Sequence, residues 1–365
     1  MTISRRTVLT TTAALAATAA LSVRSSEAAA DEPGRPAADR TVLFDDDFSG
    51  GFGTSGPDAR WTHVPFGGGV GEDGTATTSA RGLRLAASGT NPRTGEPAFT
   101  LTLGQHEPSG LPGGLDHVKW LSYPNRKTPG GLLGFPAEDG RELVHEARMS
   151  GTTYGTAGHP FGAAVTDPHD DPRLAMAGMP MEDQESGIAF DFLFTDKTVY
   201  AFYERLPHHR DTLGNYAAFT YAVPVARRHS PDAEHHVKVA YNRSRGLVRW
   251  YLDGRQVFAV HRIGHRLSSR RHMLLDHGGT EATVAPRQLT GGIGLFDALD
   301  GARSGTAGSG LVRLTAEAGH YFDPVLGEPA PQTFLDDDSR PEHRLWGQGA
   351  AVQVRRFTVS SCPAD

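Results

Sequence analysis

The sequence predicts an all-β protein built as one large β-sandwich of two antiparallel sheets, and three observations carry that prediction. Short runs of β-branched and aromatic residues recur between turn-formers, in a chain that holds 44 glycines and 24 prolines. Several runs alternate at period two, with Val237, Val239 and Tyr241 on one face and His236, Lys238 and Ala240 on the other. No stretch keeps a helical period long enough to matter, and no internal repeat is present.

Residues 1–30 read as an export signal. Ser4-Arg5-Arg6-Thr7-Val8-Leu9 opens an Ala/Thr-rich apolar run to Val23, and Glu27-Ala28-Ala29-Ala30 supplies a small-residue cleavage site before Asp31. The paired arginines directly before the run point to the twin-arginine route, so a secreted protein, exported already folded, is expected. The run is broken by Ser and Thr and is short of the ~20 apolar residues that a membrane span requires. Residues 31–40 (DEPGRPAADR) form a polar linker, and a single sandwich domain is expected over 41–365.

Within that domain the clearest strands are Gly82–Ala86, Ala98–Leu103, Ile188–Phe194, Val199–Tyr203, Ala218–Val223, His236–Tyr241, Leu247–Leu252, Gln256–His261 and Val352–Val359. Asp253-Gly254 between two of these runs is the pair that a two-residue type I′ hairpin demands. Residues 300–350 are looser and read as a loop-rich excursion before the last strand.

Composition narrows the function. The formal net charge is −6, and the signal carries Arg5, Arg6 and Arg24 against Glu27, which leaves about −8 after cleavage. A nucleic-acid binder would be basic, so that class is excluded. No second long apolar stretch follows, so no membrane span is expected after cleavage. Cys362 is the only cysteine, so the fold must be held by its core alone, and a monomer is expected.

Three landmarks then place the chain among known architectures. Phe44-Asp45-Asp46-Asp47-Phe48-Ser49 resembles the first strand of concanavalin A-like lectin/glucanase domains, Arg249-Trp250-Tyr251-Leu252-Asp253-Gly254 their penultimate hairpin, and Val352–Val359 their closing strand. The chain is also similar to an uncharacterised family of actinobacterial secreted proteins with no assigned activity, and its 32 arginines to 4 lysines suit such an origin. The resemblance implies a jelly roll whose concave sheet carries a ligand cleft, and hence a carbohydrate-interacting protein. It supplies no chemistry, because fold does not decide function.

Laminarinase-type members of that superfamily carry Glu-x-Asp-x-Glu or Glu-x-Asp-x-x-Glu on one strand, which sets a nucleophile and an acid on one face about 5–5.5 Å apart. The pattern is absent here. The nearest candidates, Glu185 and Asp191, share parity across Gly187 and Ala189, yet six residues of strand separate them by about 20 Å. Ala189 and Gly187 would leave an open floor between them.

Tyr203, Glu204 and Arg205 are candidate ligand contacts, since an aromatic beside an acid and a base suits a sugar ring and its hydroxyls. In Leu275-Asp276-His277-Gly278-Gly279-Thr280-Glu281, either Asp276 would orient His277 as a general base or the set would ligate a metal, with Asp276 and Glu281 as ligand contacts. The adjacent pairs His208-His209 and His235-His236 make poor chelates. The runs Asp45-Asp46-Asp47 and Asp336-Asp337-Asp338 would suit a structural calcium, and no other cofactor is implied. The candidate catalytic set is therefore Glu185, Asp191 and His277. Three functions stay open: a lectin-like binder or non-standard glycan-active enzyme, a small-molecule cyclase, isomerase or lyase in the same cleft, and a ligand-free surface protein.

Overall fold

The strand Ile188–Phe194 sets the plan of the molecule: Ile188, Phe190, Phe192 and Phe194 point one way, Ala189, Asp191 and Leu193 the other, and all seven are buried. In the computed structural model, which describes residues 39–64, 74–87, 99, 117–303, 310–314, 320–325 and 327–364, two large antiparallel sheets lie on either side of the Ile/Phe row. The protein is an all-β sandwich. The expected export signal, its expected cleavage site at Ala30 and most of the expected 31–40 linker lie outside the described residues, as does the expected Ala98–Leu103 strand apart from Phe99.

The first sheet runs in the order Arg255–Val260, Leu247–Leu252, His235–Asn242, Arg141–Tyr154, Gly349–Pro363, Gly82–Ala87 and Thr75–Ser79, with Thr41–Asp46 pairing on Gly349–Pro363. Asp253 and Gly254 turn between two of these strands with φ of 50° and 81°, as a type I′ pair requires. The second sheet contains Val118–Pro124, Ile293–Phe296, Met176–Met179, Ile188–Phe194, Thr198–Arg205, Phe219–Arg227 and Met273–Asp276, consecutively paired. Val237, Val239, Trp250 and Val352 from the first sheet meet Phe190, Phe192, Val199 and Tyr203 from the second. Each such side chain removed from water stabilises the fold by about 1.5–3 kcal/mol.

Two strands at the centre of the molecule escaped the sequence reading. Arg141–Tyr154 mixes Glu, His and Arg with apolar residues, and Met176–Met179 is short and rich in Met, Ala and Gly, so neither carries a strong β signal. The 300–350 excursion is part-structured: Gly310–Val312 pairs in parallel with Phe334–Asp336, and Pro341–Arg344 forms one helical turn. Its Leu311, Val312 and Leu314 join Phe161, Val165, Leu174 and Leu299 in a small separate apolar cluster. No helix among the described residues is long and apolar enough to cross a membrane.

His145 is the polar anomaly of the inter-sheet core. It shares the inward side of its strand with Leu143, Ala147 and Met149, is 0% exposed, and lies edge-on to Phe135 and Phe357 at 5.9 and 6.4 Å. Neither ring nitrogen has a hydrogen-bond partner. The ring fits only because residue 291 is glycine, where a Cβ would come within 2.7 Å of the imidazole. Burial holds its pKa down at about 3, so the folded state keeps it neutral. The unfolded chain binds that proton from pH ~6.5 downward, so stability from this group is complete above pH ~6.5 and drains as pH falls toward 3. Urea denaturation at pH 7 and pH 4.5 should therefore show His145→Leu losing less stability on acidification than the wild type. Equal losses in the two proteins would show that this imidazole does not govern the acid limb.

Candidate functional site

The outer face of the second sheet, turned away from the sandwich core, carries the acidic residues. Glu182 stands opposite Ala189 on one neighbouring strand and Glu204 opposite Ala189 on the other, with Thr220 opposite Glu204 one strand further on. Strands lie about 4.8 Å apart, so the two glutamate backbones are about 10 Å apart with only a methyl group between them. Asp191, two residues along, is the diagonal neighbour of Glu204, and the two carboxyls share a hydrogen bond.

Burial raises the pKa of both members of this pair, and the nearby charge of Glu204 raises Asp191 further. Asp191 is thus the member that keeps the proton and donates it to Glu204. One Asp191 oxygen also accepts the Met181 N–H at 2.9 Å. The Glu204 carboxylate accepts the Thr220 hydroxyl at 2.7 Å and faces the positive charge of His117. Burial also lifts Glu182, against a hydrogen bond from the Tyr123 hydroxyl that favours its charged form. Carboxyls whose pKa is raised by burial around one floor suit general acid–base chemistry.

A cavity of about 430 Å³ opens over this group. The carboxyls of Glu182, Asp191 and Glu204 line it with Thr220, His117 and Asp297 line it beside Val118 and Phe296, and the apolar part of its floor is formed chiefly by Leu121, Met176, Leu193, Phe202 and Phe296. Beneath the rim lie two buried ion pairs, Lys119 with Asp297 at 3.3 Å and His117 with Asp300. Burial alone would lower His117, but the Asp300 carboxylate overrides it and raises the imidazole to about 9. His208, on the loop above, is desolvated and held down at about 4, so it is neutral where His117 is charged.

Residues 45–363 match the family of unknown function DUF6081. The chain belongs to that family. A relative is the uncharacterised protein L829 of Acanthamoeba polyphaga mimivirus, 27% identical over 339 residues that span 68% of this chain and 76% of the viral one. Similar solved structures include a Bacteroides ovatus GH16 enzyme of mixed-linkage glucan utilisation (9% identity, TM-score 0.42, 87% of this chain and 100% of that one). The non-specific endo-β-1,3(4)-glucanase SCLam is another (10% identity, TM-score 0.41, 91% and 95%). A third is an endo-1,3-β-glucanase from Streptomyces sioyaensis (13% identity, TM-score 0.37, 91% and 99%).

Of the residues singled out by sequence, this DUF6081 chain brings only Asp191 and Glu204 together in the cleft. Glu185 lies outside it in the turn before the strand, clamped by the Arg287 guanidinium at 2.6 and 2.7 Å. Gly187 has φ of 70° and closes that turn, so parity counted through it does not hold. Tyr203 and Arg205 flank Glu204 and so face the opposite way. The Tyr203 hydroxyl accepts the Gly264 N–H at 2.8 Å and donates to the His265 carbonyl at 2.9 Å. Arg205 stacks 4.0 Å above the Tyr216 ring.

Asp276 does not orient His277; it is held by Arg266 at 2.7 Å and by Arg270. His277 is buried beside His320, with ring centres 4.5 Å apart, and its pKa is driven well down by desolvation. Glu281 binds His265 and the Arg266 backbone N–H at the surface.

The two aspartate runs do not form a calcium cage. Asp45 is taken by Arg356 and Thr358, Asp46 by the Trp61 indole N–H, and Asp336 by Arg340 and His343. Among the described residues no cluster of three or more His, Cys, Asp or Glu could hold a metal. What sequence reasoning missed is Glu182, Thr220, Tyr123 and His117, each on a different strand or loop, which only the register brings to one floor.

The raised pKa of His117 has a measurable sign. Its pairing with Asp300 stabilises the fold fully below pH ~6.5, and that contribution is lost as pH rises through about 9. The stability gap between the wild type and His117→Gln, read by thermal denaturation, should narrow between pH 6.5 and pH 9.5. A gap that stays constant across that range would mean that the imidazole is uncharged in the folded protein.

Proposed function

We propose that this chain is an exported, monomeric, carbohydrate-active enzyme that hydrolyses a glycosidic bond by general acid–base catalysis in the cleft. The observation that carries the reading is the arrangement around Ala189, where Glu204 is held as a carboxylate by Thr220 and protonated Asp191 while burial raises Glu182 across the floor. Glu182 gives its proton to the leaving oxygen as the C–O bond breaks. Water attacks the anomeric carbon, and Glu204 takes the proton that water releases. Asp191 keeps its proton throughout and positions Glu204. Exchange with solvent then returns both glutamates to their starting states.

The three sequence landmarks of the concanavalin A-like superfamily support a saccharide as the substrate. The Arg5-Arg6 signal supports export by the twin-arginine route, and the arginine-rich composition supports an actinobacterial source. One observation favours a second reading, a small-molecule cyclase, isomerase or lyase: most of the cleft floor is apolar.

The test is product release from a panel of oligosaccharides and glycosides with the full-length protein. Glu204→Gln and Glu182→Gln should each lower turnover by about 10²–10⁴-fold, whereas Glu185→Gln should leave it unchanged. Undiminished turnover in Glu204→Gln, or a panel with no sugar bound or cleaved, would overturn the assignment.

A further inference from the structure

The polarity of the cleft floor changes in one direction along the strands. Register places Glu182, Ala189, Glu204 and Thr220 in one row across the sheet. The next row outward-facing residues make is Asp191, Phe202 and Ala222, and the one after that is Leu193 and Tyr200. At ~3.3 Å per residue these rows are about 7 Å apart, so the floor passes from acidic to apolar within some 13 Å. Leu193, Phe202, Ala222, Leu121, Met176 and Phe296 belong to one hydrophobic cluster that is separate from the inter-sheet core.

A polysaccharide groove would need hydrogen-bonding side chains at each ring it binds, because a sugar hydroxyl left on an apolar surface loses its water without replacement. Beyond the first two rows the floor strands supply only Tyr200, whose hydroxyl is given to the Asp170 carbonyl, while His117 and Asp297 beside Phe296 are taken up in ion pairs with Asp300 and Lys119. A cavity of about 430 Å³ is also of the size that encloses one small ligand and not a long chain.

We propose that the cleft takes an amphipathic glycoside, with a short sugar at the carboxylate rows and an apolar aglycone laid over Leu193, Phe202, Met176 and Phe296. This rests on the glycoside-hydrolase reading above and names the substrate class within it. The scissile bond then sits where the floor changes character, over Ala189 and Asp191, and the apolar arm orients the leaving group.

The experiment is a calorimetric binding series on full-length Glu204→Gln, with methyl, butyl, hexyl and octyl glycosides of several sugars, plus n-octanol. Each added methylene should tighten binding about fourfold, as burial of one CH₂ predicts, until the arm is filled. Adding Leu193→Ser should flatten that dependence, and the Glu204→Gln series stands on its own even if the double variant does not fold. Methyl and octyl glycosides that bind equally would overturn the aglycone arm and leave the glycosidase reading intact. Octanol binding as tightly as octyl glycoside would overturn the glycosidase reading together with the amphipathic ligand, as would silence across every sugar.

Discussion

The position of every acid in the cleft depends on apolar side chains that point away from it. Ile188, Phe190, Phe192 and Phe194 are locked between the sheets, so alternation alone commits Ala189, Asp191 and Leu193 to the outer face. A slip of one residue would turn the phenylalanines outward and bury Asp191 among hydrocarbon. A direct tie reinforces this register: the Trp250 indole N–H on the opposite sheet donates to the Asp191 carbonyl at 3.0 Å, and its ring meets Phe190 edge-on at 5.8 Å. The hairpin closed by Asp253-Gly254 is what holds Trp250 on that strand, so a surface turn and a cleft carboxyl are coupled through one buried indole.

Burying Glu182, Asp191 and Glu204 within reach of one another works against stability, since each ionised carboxylate loses water and repels the others. The protein meets this by leaving a proton on Asp191 and by setting Thr220, Tyr123 and the His117–Asp300 pair around the group. An apolar patch of the same shape would cost less. A fold that needed only rigidity here would not require three acids with raised pKa, an open cavity above them and a charged imidazole at the rim.

The fold was legible because it depends on local pattern: period-two runs, the Ile/Phe comb and the Asp-Gly turn lie within a few residues of one another. The site was half legible for the same reason. Parity puts Glu204 on one face with Tyr200 and Phe202 and forbids Tyr203 and Arg205 from sharing it, so naming Tyr203, Glu204 and Arg205 together as contacts could not hold. Counting from Glu185 to Asp191 failed because Gly187, at φ of 70°, ends the turn and resets the alternation. Adjacency suggested that Asp276 serves His277, yet two arginines from residues 266–270 claim that carboxylate. Glu182 and His117 reach the site only through strand order, which no window of the sequence contains.

Strands that are apolar on both faces normally lie inside a layered α/β protein, where helices cover the second side. Here Ile188–Phe194 and Thr198–Arg205 are buried on both faces although no helix of more than one turn packs against them among the described residues. The inner face is explained by the sandwich. On the outer face, Leu193 and Phe202 border an open cavity next to the carboxyl rows. A surface of that kind left to water alone would weaken the fold and favour association. In the proposed complex an apolar ligand group removes that liability, and the carboxyl rows beside it fix which end of the ligand reacts. The same alternation that builds the core therefore also builds the proposed binding face, with Asp191 at the boundary between its two halves.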